Sequence, residues 1–563
     1  GALVVLEEMP LSSNGKIDRR ALPVPERLRE QSEVEYVAPR NGTEELLASI
    51  WSEVLGVARV GVEENFFELG GHSLLATQVM SRVRAAFGVQ VPLRSLFETP
   101  TVAGLAAAIE RIGGRNGMIA PPVVRVSREQ PLPLSFAQQR LWFLDQLEPN
   151  SSAYNLPSAV RLQGELDVVA LERTLTEIVR RHEALRTVFP VDQGQPVQVI
   201  LPPMPVTLPV TDLTTLPEEE REREVRRLVS EESQTPFDLA CGPLLRTRIL
   251  RLSAGESIVL FTMHHIISDG WSEGVLVNEV TTLYRAFING EPSPLPELEI
   301  QYVDHAYWQR SWLQGDVLEN QLEYWKQQLA DAPAVLVLPA DRPRPDVQTY
   351  RGASESFIFS DELTSALKQL SQREGVTLFM TLLAAFQTLL YRYSGETDIP
   401  IGTSIAGRNQ LETEGLIGFF VNTLVLRTDL SGDPTFSELL RSVREVTLEA
   451  YAHQDVPFEK LVEELQPQRE LSHHPLFQVM FALNNMSQGT LELPGLSLKP
   501  MGGVVRTAKF DLNLTITDVG HALIGNLEYA TDLFDATTIT RLLNSFRVLL
   551  EGVSARADEK LGE

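Results

Sequence analysis

Apolar residues recur at helical spacing between residues 39 and 113. Leu46, Leu47, Ile50, Trp51, Val54 and Leu55 share one face, with Thr43 expected as N-cap and Glu44 and Glu45 in the first turn. A second helix is predicted from near Ser73, where Leu75, Val79, Val83 and Phe87 recur every fourth residue. Pro92 opens a short third piece, and Thr101 is placed to cap a last helix through Leu105 to Ile109. This pattern predicts a small four-helix bundle. From about residue 132 onward, strands and helices alternate. Ser158–Leu162 and Ser257–Met263 read as strands, and Val168–His182 and Trp271–Asn289 as helices. The charged stretch Pro217–Ser233 reads as a surface helix, and Leu378–Leu390, interrupted only by Thr381, Gln387 and Thr388, as a buried one. Residues 114–131 are rich in Gly, Pro and isolated charges and read as a linker, and Pro333–Pro345 as a connection within the large unit. Residues 1–30, with their turn-rich Ser12–Lys16 segment, do not make a complete domain.

Composition narrows the functional classes. At roughly 150 residues per domain, 563 residues suggest three or four units. Hydrophobic residues at 43% and charged residues at 22% exclude wholesale disorder. The 75 acidic against 49 basic residues give a net charge of −26, and no basic patch interrupts it. Neither nucleic acid nor an anionic membrane is therefore expected as a partner. Leu378–Leu390 is too short to span a bilayer. Cys241 is the sole cysteine, so no intrachain disulfide can form, and a cytoplasmic location is expected. The chain opens Gly1-Ala2-Leu3 without a start Met or a signal-peptide pattern, which suggests a fragment of something larger, expected to be monomeric.

Two local motifs carry candidate chemistry. In Leu69-Gly70-Gly71-His72-Ser73-Leu74-Leu75 two glycines allow a sharp turn into a helix start, where free N–H groups and the helix dipole favour an anion. On residue chemistry alone Ser73 is either a helix cap or the anchor of a phosphodiester. Gly-x-Ser-x-Gly is absent, so a hydrolase nucleophile elbow is unsupported. The second motif, His264-His265-Ile266-Ile267-Ser268-Asp269-Gly270, lies between a strand and a helix. Paired His plus Asp could ligate a metal, but no third-ligand spacing is present and no metal is expected. An imidazole suits proton transfer near neutral pH, and Gly270 permits close backbone approach.

The first motif, in a helical unit spanning 39–113, closely resembles the peptidyl carrier domain of nonribosomal peptide synthetases. The resemblance implies that Ser73 carries 4′-phosphopantetheine, attached from coenzyme A by a phosphopantetheinyl transferase, with an aminoacyl or peptidyl group held as a thioester. Asn14-Gly15-Lys16-Ile17-Asp18-Arg19 looks like the end of an adenylation domain, so residues 1–30 are expected to be its remnant and an upstream adenylation domain a partner. The second motif resembles the His-His-x-x-x-Asp-Gly signature of condensation domains. Further matches are Ser135–Trp142, Arg181–Thr187, Tyr302–Trp308 (with His305 where Tyr is commoner), Ile417–Arg427, His453–Phe458 and Arg469–Leu476. The implied fold is an α/β, two-lobed, chloramphenicol-acetyltransferase-like domain, with lobes at 132–305 and 306–563 and His265 at their junction.

The implied reaction is amide formation, in which the amine of an aminoacyl thioester on a downstream acceptor carrier attacks the donor thioester. His265 is expected to orient that amine or to accept its proton. His264 and Asp269 are expected to be structural, Asp269 pairing with an arginine, for which Arg186 is the candidate. Gly270 is expected near the reacting carbonyl, and Asn422 to face the tunnel or serve as a turn residue. His182, His305, His453, His473 and His474 are treated as packing or surface residues. The competing readings are an epimerisation domain and a non-catalytic recruitment platform. The donor terminus is expected to be L-configured or glycine.

Overall fold

The computed structural model describes residues 36–112, 120–467, 470, 472–484, 493–501 and 507–562. Residues 1–30, including Lys16, and also Arg469 lie outside the described residues. The chain divides into two units, Gly1–Gly117 and Met118–Glu563.

The small unit contains the helices Gly42–Leu55, Ser73–Phe87, Leu93–Glu98 and Val102–Ile112. The first starts earlier than the apolar spacing implied. Its N-cap is Asn41, not Thr43: the Asn41 side chain accepts the Glu44 N–H at 2.9 Å, and Thr43 lies inside the first turn. Thr101 does act as a cap, its Oγ1 accepting the Gly104 N–H at 3.0 Å. Leu47, Trp51, Phe66, Val79, Leu96 and Leu105 are fully buried, with Trp51 and Phe66 edge to face at 4.9 Å between ring centroids.

The large unit is two-lobed and mixed α/β, built on two sheets. The first runs in the order Ser497–Pro500, Asn155–Gln163, Glu256–His264, Leu245–Ser253, Val210–Asp212. The second runs Asn422–Asp429, Asp398–Ile405, Val479–Asn484, Leu512–Asp518, Leu523–Ala530, Gly352–Phe359. Alternation makes the second sheet one-sided: Val479, Phe481, Leu512, Leu514 and Ile516 are buried, and Phe481 packs on Phe386 of the helix Leu378–Ser394. That helix is buried from Phe379 to Leu390. Its polar Gln387 donates from Nε2 to the Ile399 carbonyl and the Thr428 hydroxyl. No single helix among the described residues is long and apolar enough to cross a membrane. The sequence halves interlock. Strand Ser497–Pro500 pairs antiparallel with Asn155–Gln163 in the first sheet, and residues 305 and 306 fall inside the helix Tyr302–Trp312.

Candidate functional site

In the small unit His72 is the extended N-cap residue of the second helix, without a side-chain cap bond, and Ser73 is the first helical residue. The Ser73 Oγ is shielded from solvent and has no hydrogen-bond partner, so it does not serve as a cap. The turn that delivers it needs both glycines. Gly70 has φ +95°, and a Cβ on Gly71 would stand 2.3 Å from the Phe66 ring. An orphaned hydroxyl at the positive end of a fifteen-residue helix fits the attachment of a phosphodiester.

In the large unit the strand Glu256–His264 runs into a single turn, His265–Ile267, before the helix Gly270–Ile288. This geometry fixes the double histidine. The His265 N–H donates to the Tyr154 carbonyl at 2.8 Å. Its Nδ1 lies 2.7 Å from the Ser268 carbonyl oxygen. A carbonyl can only accept, so Nδ1 carries the proton and Nε2 keeps its lone pair. The ring is partly buried against Phe419, 4.7 Å between centroids. Burial, followed by the charge of Lys509, pushes the His265 imidazole down to about 4, so it is neutral at pH 7. His264 is buried, its Nδ1 accepting the Ile266 N–H at 3.1 Å. Both ring orientations are thus set by local backbone. Gln138 supports the turn from the helix Phe136–Leu147, donating to the Ile266 carbonyl at 3.2 Å.

Asp269 is a hub. It caps the helix Gly270–Ile288 through the Ser272 N–H at 2.9 Å, and accepts the Ser272 hydroxyl at 2.7 Å and the Phe420 N–H at 2.9 Å. Its arginine partner is Arg408, at 3.3 Å, not Arg186. Arg408 and Asp269 are 3% and 2% exposed, so each is the other's charge compensation in a dry interior. Arg408 also donates to the Leu416 carbonyl at 2.8 Å and covers the Phe420 ring at 3.9 Å. Arg186 instead donates to the Leu201 carbonyl at 2.6 Å and lies 3.8 Å from Glu183. The network holds Leu416–Phe420 against the double-His turn. Tyr302 adds to it, donating to the Phe419 carbonyl at 2.6 Å. With these contacts Asp269 positions backbone. Gly270 opens the helix with open space around its Cα: an added Cβ would meet nothing within 4 Å.

Asn422 starts the strand Asn422–Asp429 and locks a loop, donating to the Gln454 and Val456 carbonyls at 2.9 and 2.7 Å and accepting the Phe458 N–H at 3.0 Å. The remaining histidines named above pack. His182 bridges Glu279 and the Ile417 N–H, and His305 is buried between Trp308 and Phe420. His453 stacks on Tyr324, His474 on Phe458, and His473 lies beside Ser472. Arg408 and Tyr154 lie outside every motif read from the sequence, and Phe419 falls within the Ile417–Arg427 match; all three lie more than 100 residues from His265, and no local spacing ties them to it. Among the described residues no group of three or more His, Cys, Asp or Glu is placed to hold a metal.

Comparison with known proteins finds a family match in each unit. The family described as "Phosphopantetheine attachment site" matches residues 45–109, and the "Condensation domain" family matches residues 128–563. One of the linear gramicidin synthase proteins of Brevibacillus parabrevis is 54% identical over 562 residues, which cover 99% of this chain and 11% of that protein. Malpinin synthetase of Mortierella alpina is 47% identical over 549 residues, covering 98% of this chain and 7% of that protein. The chain thus spans only a small part of the curated relatives it matches. The crystal structure of the X-domain from teicoplanin biosynthesis superposes with a TM-score of 0.72 at 31% identity, covering 78% of this chain and 99% of that one.

Proposed function

The chain belongs to the condensation-domain family, here preceded by a phosphopantetheine-attachment domain, and from that premise we propose that it forms amide bonds in nonribosomal peptide synthesis. The attachment domain carries covalent 4′-phosphopantetheine, and Ser73 is the residue that holds it. When bound, the cofactor supplies the thiol on which the acyl donor is held as a thioester. The unpartnered Ser73 Oγ and the Gly70-Gly71 turn support this assignment.

The locked tautomer of His265 carries the reading of the large unit. Nδ1–H is committed to the Ser268 carbonyl, so Nε2 is the atom offered to a substrate, and it can only accept a hydrogen bond. With a pKa of about 4 the ring is a weak base. Taking the proton of an α-ammonium of pKa near 8 would be uphill by roughly 5 kcal/mol. His265 therefore orients an amine that arrives neutral, aiming its lone pair at the donor carbonyl. Gly270, at a helix start and open on its Cα side, lets backbone amides approach the carbonyl oxygen as charge develops. His264, Asp269 and Arg408 hold the turn.

On this reading an upstream adenylation domain supplies the donor, a downstream carrier presents the acceptor amine, and a phosphopantetheinyl transferase modifies Ser73, with the chain acting as a monomer in the cytoplasm. The donor terminus is L-configured or glycine. The lobes of the large unit are assigned to residues 132–305 and 306–563, with His265 at their junction. The test is direct. Convert the chain to its holo form, load an aminoacyl donor, add an aminoacyl-pantetheine acceptor, and follow dipeptidyl product by mass spectrometry. Amide product is expected. Exchange of the donor α-proton without amide would replace this reading with epimerisation.

A further inference from the structure

Lys509 precedes the strand Leu512–Asp518, and its Nζ stands 4.3 Å from the centroid of the Tyr154 ring. The Tyr154 carbonyl holds the His265 N–H, and its ring lies 6.4 Å from that of His264. Three segments distant in sequence thus gather a cation, a phenol and the double histidine. The charged or titratable groups facing Lys509 are Glu528 from the strand Leu523–Ala530, Arg140 from the helix Phe136–Leu147, and His264 and His265. Burial pushes the Lys509 ammonium down, Glu528 opposes this and Arg140 adds to it, leaving it at about 8 and charged at neutral pH. The other charge acting on His265 is Asp269, whose carboxylate is already engaged by Arg408.

A charge held where burial disfavours it is a poor stabilising device, because an apolar side chain of similar size would serve packing as well or better. What the ammonium does impose is a positive field at the double histidine. From this geometry we infer that Lys509 is a positioning residue: its ammonium repels a second cation beside His265, so the acceptor is presented there as a free amine and not as an ammonium. The displaced proton goes to solvent before the new bond forms. This rests on the condensation reading above, and it explains how a weakly basic imidazole can suffice.

The test uses the full holo chain with a loaded donor, comparing Lys509→Met and Lys509→Arg with the unaltered protein from pH 5.5 to 9. Two acceptors are used, an aminoacyl-pantetheine and an alkoxyamine, the latter already neutral across this range. With the aminoacyl acceptor, Lys509→Met is expected to move the acid limb of the rate profile up by about one pH unit, a tenfold loss near pH 6. The profiles should converge near pH 9, and Lys509→Arg should restore the acid side. With the alkoxyamine the three proteins should be equally fast. Parallel profiles, or an equal loss with both acceptors, would overturn the inference while leaving condensation intact. Absence of amide from the unaltered protein at every pH would overturn the condensation reading and this inference with it.

Discussion

The residues that frame Ser73, from Phe66 to Thr77, are neighbours in sequence, whereas those that frame His265 sit at positions 154, 268, 419 and 509. The difference follows from what each residue has to do. Ser73 must present one hydroxyl at a helix start, which a turn and a helix of its own can arrange. On the proposed reading, His265 must hold a fixed tautomer, stay uncharged and face a space shared by two substrates. That needs a carbonyl, an aromatic wall and a field, and no single segment supplies all three. A locally built site tolerates change elsewhere. A site assembled over long range depends on the buried network that holds its parts in register.

The contrast can be broken most sharply at Ser73. Ser73→Ala should abolish the mass increase on treatment with coenzyme A and a phosphopantetheinyl transferase, with thermal unfolding of the small unit unchanged. An increase that survives would move the attachment point to another residue. In the large unit the strongest effect is expected at Arg408. Arg408→Met leaves Asp269 buried without its charge partner and should cost about 3–5 kcal/mol, read by denaturant unfolding. Arg186→Ala, which removes one guanidinium bond to the Leu201 carbonyl, should cost about 1 kcal/mol. Equal losses for the two would mean that Asp269 does not depend on its long-range partner.

Legibility in the sequence tracks the same division. Helices with a clear apolar face, such as Val168–Arg181 and Leu378–Ser394, start where their period does. The first helix did not, because Asn41 outcompetes Thr43 as a cap while Gly42 offers no apolar signal. The four-residue strand Ser497–Pro500 is too short to show alternation, yet it ties the C-terminal half into the first sheet. Ser73 and His265 stood out because a turn, a helix start and a paired residue leave a contiguous trace. Arg408 left none: one arginine among many, it is marked only by being 139 positions from its carboxylate and buried with it. Arg186 lies nearer to Asp269 in sequence, but its guanidinium donates to a carbonyl instead. Asn422 shows the same limit, since its amide works on a loop more than 30 residues away.

The central claim is that a neutral, tautomer-locked His265 orients the amine that attacks the donor held at Ser73. Single-turnover amide formation by the full holo chain and by its His265→Ala variant, with equal donor loading confirmed by mass, tests it most directly. The account expects the same folded chain and a rate lower by about 10²-fold in the variant, the size of a lost positioning contact. Amide formation at an unchanged rate in His265→Ala would contradict it.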